Sequence, residues 1–433
     1  MSTRSFLTVV AATATLCACG SSGENSLGSS SNTAGSSASN SNGASGSTTA
    51  SGTGSSKASG STGTNGSESS QSLVTSGSNS TSNVGGSNTS SGSGGTSSAT
   101  SSSSGSVASG GTGPCDIYQA GNTPCVAAFS TVRALLGAYN GKLYQVTRAD
   151  NTTQDIGVLS PGGVADAAAQ DTFCSGTTCT ISILYDQSGK GNHLSRAPLN
   201  QQQYHNGGQD SLAVANALPI MIGGHKAYGI HSPPGTGYRN DSTKGVATGD
   251  EPEVIYEVTD GTYTVNGCCF DFGNAETNNK AGANGSMEAL FFGTGYWDKG
   301  SGSGPWVEAD LEDGVYNQGG ASGSTNANEP SMAYPFVTAM IKGNSANATT
   351  GNGPFAVKGS NAQSGTLSVW YDGARPTGYS PMKKQGAILL GIGGDDSNAG
   401  GGNFYEGVMT AGYSSDATDD AVQANIVAAG YAK

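Results

Sequence analysis

Three carboxylates alternate along one short segment, residues 306–312, which reads WVEADLE. Because side chains of a β-strand point alternately to its two faces, Glu308, Asp310 and Glu312 share one face of the predicted strand. Neighbours two apart lie about 7 Å from one another, and like charges at that range raise each other's pKa where water is scarce. Such a face suits acid–base or nucleophilic chemistry. A solvated outer face or a calcium site is the alternative interpretation.

A second acidic segment follows a run of glycines at residues 390–398, LGIGGDDSN. The glycines let the backbone approach a ligand closely, and Asp395 and Asp396 come directly after them. The two segments together supply one carboxylate on a strand and another on a loop, which is the pair that glycoside hydrolysis uses. A turn in which Asp bonds the backbone is the simpler alternative, and neither segment alone identifies an enzyme.

The cysteines predict disulfides rather than a metal site. No CxxC pair occurs, and the four His residues are scattered along the chain. The spacing of the six cysteines after residue 112 suggests the local pairs Cys115–Cys125, Cys174–Cys179 and Cys268–Cys269. A disulfide between the adjacent residues 268 and 269 would present a flat, polarizable face that suits a sugar ring. The alternative is that each of these two cysteines pairs elsewhere.

Short strands are the elements that would position these residues. Segments rich in β-branched and aromatic residues occur at 142–148, 179–185, 254–258, 287–292, 334–342, 366–371, 387–392 and 404–410. Because regular helices do not alternate with them, the pattern predicts an all-β sandwich rather than a barrel or an α/β fold. Two helices are predicted as well, at residues 126–139 and 416–429.

The composition of the chain changes abruptly near residue 112. Residues 20–112 are almost wholly Ser, Gly, Thr, Asn and Ala, and no aromatic residue occurs between Phe6 and Tyr118. Such a segment cannot bury enough apolar surface to offset its conformational entropy, so we predict a long disordered Ser/Gly-rich linker. Residues 113–433 then form one domain, which is long enough for one extended core.

The first residues predict export from the cytoplasm. Arg4 precedes a short apolar stretch at residues 6–16, which is typical of a signal peptide and too short to span a bilayer. The sequence LCACG that follows is similar to the lipobox of bacterial lipoproteins. We therefore predict a signal peptide at residues 1–19 and lipidation of Cys19, with ordinary signal cleavage as the alternative. The predicted location is extracellular or at the cell surface, with a lipid anchor in a bacterial outer membrane.

The net charge of −13 lies entirely in the predicted domain, because the leader and the linker contain equal numbers of acids and bases. A surface this acidic argues against nucleic acid or an anionic membrane as a partner. It fits an exported protein that acts on a neutral substrate, although many acidic surfaces serve only solubility.

Long stretches of this domain resemble one known family, the α-L-arabinofuranosidases of glycoside hydrolase family 54. They are PCDIYQAGNTPCVAA (114–128), DAAAQDTFC (166–174), YDQSGKGNHL (185–194), SPPGTGYRN (232–240), CCFDFGNAET (268–277), GPWVEADLE (304–312) and LLGIGGDDSN (389–398). The resemblance covers residues 113–433 and implies a catalytic domain that is an all-β sandwich of the concanavalin-like jelly-roll type with a few short helices. Family members often carry a β-trefoil arabinose-binding module after it. The chain ends at NIVAAGYAK, where that module would begin, so we expect the module to be absent.

The resemblance also implies a role for each matching residue. It makes Glu312 the nucleophile and Asp395 the general acid/base of a retaining mechanism that needs no metal and no cofactor. The substrate-binding residues that it implies are Asp310, Trp297, Gly394, Asp313 and the Cys268–Cys269 disulfide of the pocket floor.

Two positions depart from the family pattern. Asp313 stands where family members carry Asn, and Glu308 stands where an apolar residue is expected. An extra acid beside the nucleophile predicts a changed pH range with activity retained.

The predicted activity is exo-acting, retaining hydrolysis of terminal non-reducing α-L-arabinofuranosyl residues from plant cell-wall arabinoxylan or arabinan. The expected partners are polysaccharides and oligosaccharides that carry this sugar, and the expected state is a monomer. A non-catalytic carbohydrate-binding or adhesion domain is one alternative, which the presence of two opposed acids argues against. Another exo-glycosidase on the same scaffold, a β-xylosidase or a β-galactofuranosidase, is the other alternative.

Overall fold

The computed structural model of the chain describes residues 111–198, 209–294 and 297–433. The predicted signal peptide, Cys19 and all but the last two residues of the predicted linker lie outside these described residues. Within the described ranges, no helix combines the length and the apolar character needed to cross a bilayer.

Short strands make up most of the described chain, with three helices among them. The helices are α1 (Pro114–Ala120), α2 (Ala167–Phe173) and α3 (Asp416–Ala428). The strands are β1 (Cys125–Ser130), β2 (Lys142–Arg148), β3 (Thr153–Gly157), β4 (Cys179–Leu184), β5 (Leu194–Arg196), β6 (Leu218–Ile222), β7 (His225–Ser232), β8 (Tyr238–Asn240), β9 (Glu253–Thr259), β10 (Asp271–Ala275), β11 (Glu288–Gly293), β12 (Lys299–Gly300), β13 (Trp306–Asp310), β14 (Val315–Tyr316), β15 (Thr325–Asn326), β16 (Val337–Gly343), β17 (Pro354–Asn361), β18 (Ser368–Ala374), β19 (Ala387–Leu390), β20 (Gly402–Thr410) and β21 (Tyr431–Ala432).

Two large antiparallel sheets share one apolar core. The first has the strand order β18-β17-β16-β9-β20-β7-β6-β21, with β1 also paired to β20. The second has the order β14-β13-β11-β10-β19-β8-β5-β4-β2-β3. Ile255 and Met409 of the first sheet belong to the same buried cluster as Leu290 and Val307 of the second. Two sheets that bury their inner faces against each other form a β-sandwich, so the predicted fold class is confirmed.

The second sheet brings distant parts of the chain side by side. Strand β10 pairs with β11 on one side and with β19 on the other, and β19 in turn pairs with β8. Strand β13 lies next to β11. The two acidic segments at the ends of β13 and β19 therefore lie in one sheet, separated by two strands.

The helix predicted at residues 126–139 is wrong, whereas the one predicted at 416–429 is confirmed as α3. Residues Cys125–Ser130 form β1, which pairs with β20 and is buried along its whole length. A strand buried on both faces has no polar alternation, and its two alanines are good helix formers, so the pattern is typical of a helix as well. Strand β17 escaped prediction because it begins with Pro354 and contains Lys358 and Gly359, which are rare in strands.

Three disulfides join the cysteines of the described chain in local pairs. They are Cys115–Cys125, Cys174–Cys179 and Cys268–Cys269. The first ties α1 to the start of β1, and the second ties the end of α2 to the start of β4.

Removing the Cys115–Cys125 bond should destabilise the domain. The double variant Cys115→Ala with Cys125→Ala should lose about 2–4 kcal/mol of unfolding free energy, because the unfolded chain regains the entropy of an open loop. Urea denaturation with matched m-values measures the loss. Cys174→Ala with Cys179→Ala is the control: its partners are 5 rather than 10 positions apart, so its loss should be smaller. An equal or larger loss in the control would contradict this explanation.

Candidate active site

Strand β13 carries the first group of candidate acids. Its residues Val307 and Ala309 enter the main core cluster, so Glu308 and Asp310 point to the opposite face, as the alternation predicts. The strand ends at Asp310, two residues earlier than predicted. The alternation therefore does not extend to Glu312, whose position is set by the turn that follows.

That turn has an unusual backbone at the predicted nucleophile. Glu312 and Asp313 are both in the left-handed region, with φ angles of 64° and 55°. The Glu312 N–H donates to Asp310 Oδ1 at 3.0 Å, and the Glu312 carbonyl accepts from the Tyr379 hydroxyl at 2.9 Å. The Gly282 N–H donates to Glu312 Oε1 at 2.9 Å. Backbone and side chain are thus held at three points, which fixes the direction of the carboxylate.

The loop after β19 holds the second candidate acid. The Ser397 N–H donates to Asp395 Oδ1 at 3.0 Å, and the Gly393 N–H donates to the Ser397 carbonyl at 2.8 Å. The turn requires glycine at 394, because a Cβ there would lie 2.2 Å from Glu276 Oε2. Asp395 is buried, with 5% of its surface exposed.

The vicinal disulfide lies between the two acidic segments. Cys269 Sγ is 3.6 Å from Asp310 Oδ2, and Ser397 Oγ of the β19 loop is 3.5 Å from Cys268 Sγ. Trp297 packs against the apolar cluster that contains both cysteines. The structure therefore brings the predicted residues of the two segments to one place.

One group of side chains in the described part of the chain has the spacing of metal ligands. In the described ranges, the one group of His, Cys, Asp or Glu side chains close enough to share an ion is Cys268, Cys269 and Asp310. Both sulfurs of that group are joined in the disulfide, so neither is a thiolate ligand. Glu308 and Glu312, for which a calcium site was the alternative interpretation, do not belong to such a group in the described ranges.

Burial and mutual repulsion govern the protonation of these acids. Burial raises the pKa of Glu312 to about 10, and the charges of Glu276, Asp310 and Asp395 act in the same direction. Burial, followed by the charges of Glu276 and Asp395, raises the pKa of Asp310 to about 7. The negative charges of Glu312, Asp310 and Glu276 repel one another, so ionisation of one of them disfavours ionisation of the other two.

Two residues of the site were not predicted from the sequence. Glu276 follows β10 and is fully buried; it contributes the largest of the Coulombic effects on Glu312 and on Asp310. The Arg239 guanidinium donates from Nη1 to the Gly394 carbonyl at 2.9 Å and from Nη2 to the Glu276 carbonyl. The spacing of residues along the sequence does not single out Glu276 or Arg239 as site residues, because both contacts arise from the order of the strands in the sheet.

The two positions that depart from the family pattern have different surroundings. Glu308 is fully buried, and burial raises its pKa well above the ordinary value, with the charges of Glu329 and Asp298 next in effect. It is therefore not part of a solvated outer face. Asp313 is exposed, and partial burial still raises its pKa.

Comparison with known proteins places the chain among catalytic domains. The family model for the catalytic domain of alpha-L-arabinofuranosidase B matches residues 114–432. The alpha-L-arabinofuranosidase B of Aspergillus oryzae is 55% identical over 327 residues, which are 74% of this chain and 62% of that protein. The Arabinofuranosidase/B-xylosidase of Trichoderma koningii is 56% identical over 325 residues, 74% of this chain and 63% of that one. The chain thus spans less than two thirds of the length of these relatives.

Solved structures agree with the family match. An arabinofuranosidase complexed with arabinofuranosyl-alpha-1,2-xylobiose matches with a TM-score of 0.70 and 51% identity, over 74% of this chain and 66% of that chain. A family 54 α-L-arabinofuranosidase soaked with a cyclic sulfate inhibitor matches with a TM-score of 0.70 and 52% identity, over the same shares.

The relatives correct one prediction about location. They come from fungi, among them Aspergillus fumigatus, Aspergillus oryzae and Trichoderma koningii. Fungi have no bacterial outer membrane, so the predicted lipid anchor in such a membrane is wrong.

Proposed function

Because the chain belongs to the alpha-L-arabinofuranosidase B catalytic family, we propose that it is a retaining exo-α-L-arabinofuranosidase that acts on arabinoxylan or arabinan. The observation that carries this proposal is the pair of buried acids, Glu312 and Asp395, which come from separate elements and interact electrostatically. The xylobiose complex of the similar solved enzyme supports an arabinoxylan side chain as the substrate. Residues 113–433 form the catalytic unit in this proposal.

In the first step, a Glu312 oxygen attacks the anomeric carbon of the arabinofuranosyl unit. The bond from that carbon to the glycosidic oxygen breaks, and protonated Asp395 gives its proton to the departing oxygen. The product of this step is a covalent arabinosyl ester of Glu312. The hydrogen bond from the Gly282 N–H holds the attacking carboxylate in place.

In the second step, Asp395 acts as a base. It takes a proton from water, whose oxygen attacks the anomeric carbon and breaks the ester, so that Glu312 becomes a free carboxylate again. Two displacements at one carbon leave its configuration unchanged. Both steps are carried out by carboxyl groups, and neither requires a metal or a cofactor.

The remaining residues of the site bind the sugar. Asp310 suits the acceptance of hydrogen bonds from arabinose hydroxyls, and the Gly394 backbone is a further substrate contact in this proposal. Trp297 and the Cys268–Cys269 disulfide supply apolar surfaces on which a furanose packs. Asp313 lies beside the nucleophile and contacts substrate in this proposal.

The disulfides and the net charge indicate the compartment in which the protein folds and the class of substrate that it meets. Three disulfides in the described chain favour folding in an oxidising compartment. The net charge of −13 suits neutral polysaccharides rather than nucleic acid.

Hydrolysis of 4-nitrophenyl glycosides tests the proposed function directly. The full chain should release nitrophenol from the α-L-arabinofuranoside much faster than from the β-D-xyloside or the β-D-galactofuranoside. Proton NMR of the first product should show retained configuration.

Each other outcome identifies an alternative. Faster hydrolysis of the β-D-xyloside would favour β-xylosidase activity, which the name of the Trichoderma koningii relative includes. Inverted product would contradict the nucleophilic role of Glu312. Binding of arabino-oligosaccharides without release of nitrophenol would favour the non-catalytic binding domain.

A further inference from the structure

A third buried carboxyl lies between the two segments that carry the catalytic pair. Glu276 Oε2 lies against Gly394, where a Cβ would be only 2.2 Å away, and Gly394 precedes Asp395. Its other oxygen, Oε1, lies against Gly282, where a Cβ would be 2.6 Å away. Gly282 is the residue whose N–H donates to Glu312. Glu276 therefore touches the backbone segments that hold both acids, without belonging to either.

Neighbouring polar groups hold Glu276 in this position. Ser286 Oγ donates to Glu276 Oε1, and Arg239 donates to the Glu276 carbonyl. Within the described chain, Oε2 has no hydrogen-bond partner. A buried carboxyl with one oxygen unpaired, next to two reacting acids, contributes mainly through its charge.

Charged groups face Glu276 from three elements. Burial raises the pKa of Glu276, and the charge of Asp395 of the β19 loop acts in the same direction, whereas the hydrogen bond from Ser286 and the charge of Arg239 of β8 lower it. Glu312 and Asp310, at the end of β13, both experience its charge as a repulsion. Glu276 is thus placed to change the ionisation of the proposed nucleophile from a fully buried position.

We propose that Glu276 is a positioning residue whose carboxylate sets the pH at which Glu312 becomes the ionised nucleophile. The inference rests on the proposed function, and it goes beyond that function because the reaction itself uses only Glu312 and Asp395. A negative charge beside Glu312 disfavours its ionisation, so Glu276 shifts the start of activity toward higher pH.

The pH profile of kcat/KM for the aryl arabinofuranoside tests this role, since its acid limb reports ionisation of the free enzyme. In Glu276→Gln, the acid limb should move to lower pH by about 1 unit, because a like charge is removed. At a pH well below the wild-type limb, activity relative to the maximum should then rise about tenfold. Damage to the structure would lower activity at every pH and could not produce this rise.

Three further variants complete the test. Glu276→Asp keeps the charge and should keep the wild-type limb. Glu308→Gln removes another buried carboxyl, whose strongest charged neighbours are Glu329 and Asp298, and should shift the limb much less. Ser286→Ala removes the donor to Glu276 and thereby favours its neutral form, so it should give a smaller shift in the same direction. Ser286→Ala also decides the question if Glu276→Gln does not fold.

The outcomes separate this inference from the proposed function. If the wild-type protein does not hydrolyse the arabinofuranoside, the proposed function is overturned. If the wild-type protein is active but the acid limb of the pH profile stays in place in both Glu276→Gln and Ser286→Ala, only the role of Glu276 is overturned. A shift in Glu308→Gln as large as in Glu276→Gln would also overturn it, because any buried carboxyl would then have the same effect.

Discussion

Glu312→Gly should abolish hydrolysis of every arabinofuranoside, lowering kcat/KM by about 10⁴-fold or more. Without the carboxylate, no covalent intermediate can form. Added azide should enter the space left by the side chain, attack the anomeric carbon once and give an arabinosyl azide of inverted configuration. Nitrophenol release with and without azide measures the rescue, and proton NMR gives the configuration of the product.

The control for this variant is Glu308→Gln, which alters an acid of β13 outside the proposed catalytic pair. We expect it to retain activity with a modest shift of the pH optimum, since Glu308 is buried beside Glu329 and Asp298. Hydrolysis by Glu312→Gly within about tenfold of wild type would show that another residue is the nucleophile. An azide product of retained configuration would lead to the same conclusion.

Asp395→Ala should lower the rate of hydrolysis by different amounts for substrates with good and with poor leaving groups. Nitrophenolate departs with little protonation, so the first step should persist while the second slows, and the intermediate should accumulate as a burst of nitrophenol. Azide should speed turnover and give a product of retained configuration, because it attacks the intermediate without a general base. Arabinan and arabinoxylan have poor leaving groups, so their hydrolysis should fall by about 10²–10⁴-fold.

The adjacent acid supplies a matched control for this variant. Burial and the charge of Asp210 raise the pKa of Asp396 to about 8, which favours its neutral form, so Asp396→Asn should change the charge of the site little. Polymer hydrolysis should survive in Asp396→Asn. If Asp310 or Asp313 were the true acid, Asp395→Ala would hydrolyse polymer within about tenfold of wild type.

The sequence predicts the sandwich well where strands alternate between core and surface or are flanked by turn residues. It fails at β1, because a strand buried on both faces shows the same run of small apolar residues as a helix. The sequence contains a signal for the end of β13. Asp313-Gly314 is a dipeptide that favours a turn, and that turn stops the alternation before Glu312.

The proposed catalytic acids lie in local sequence motifs and their roles are implied by the family resemblance, whereas Glu276 and Arg239 were not predicted. Arg239 lies on β8 and Glu276 follows β10, and both strands pair with β19. Their contacts with the Asp395 loop exist only because β19 lies between β8 and β10. Strand order in a sheet is a non-local property, which the spacing of residues along one chain does not contain.

The left-handed backbone at Glu312 has a consequence for how this enzyme can evolve. A glutamate in that conformation costs about 1–3 kcal/mol, which glycine would avoid, and a domain is typically stable by only about 5–15 kcal/mol. Selection for stability alone would therefore favour glycine at position 312, the same change that removes the proposed nucleophile. If Glu312 has that role, losing it would stabilise the fold, and continued selection for hydrolysis would be needed to keep the glutamate in place.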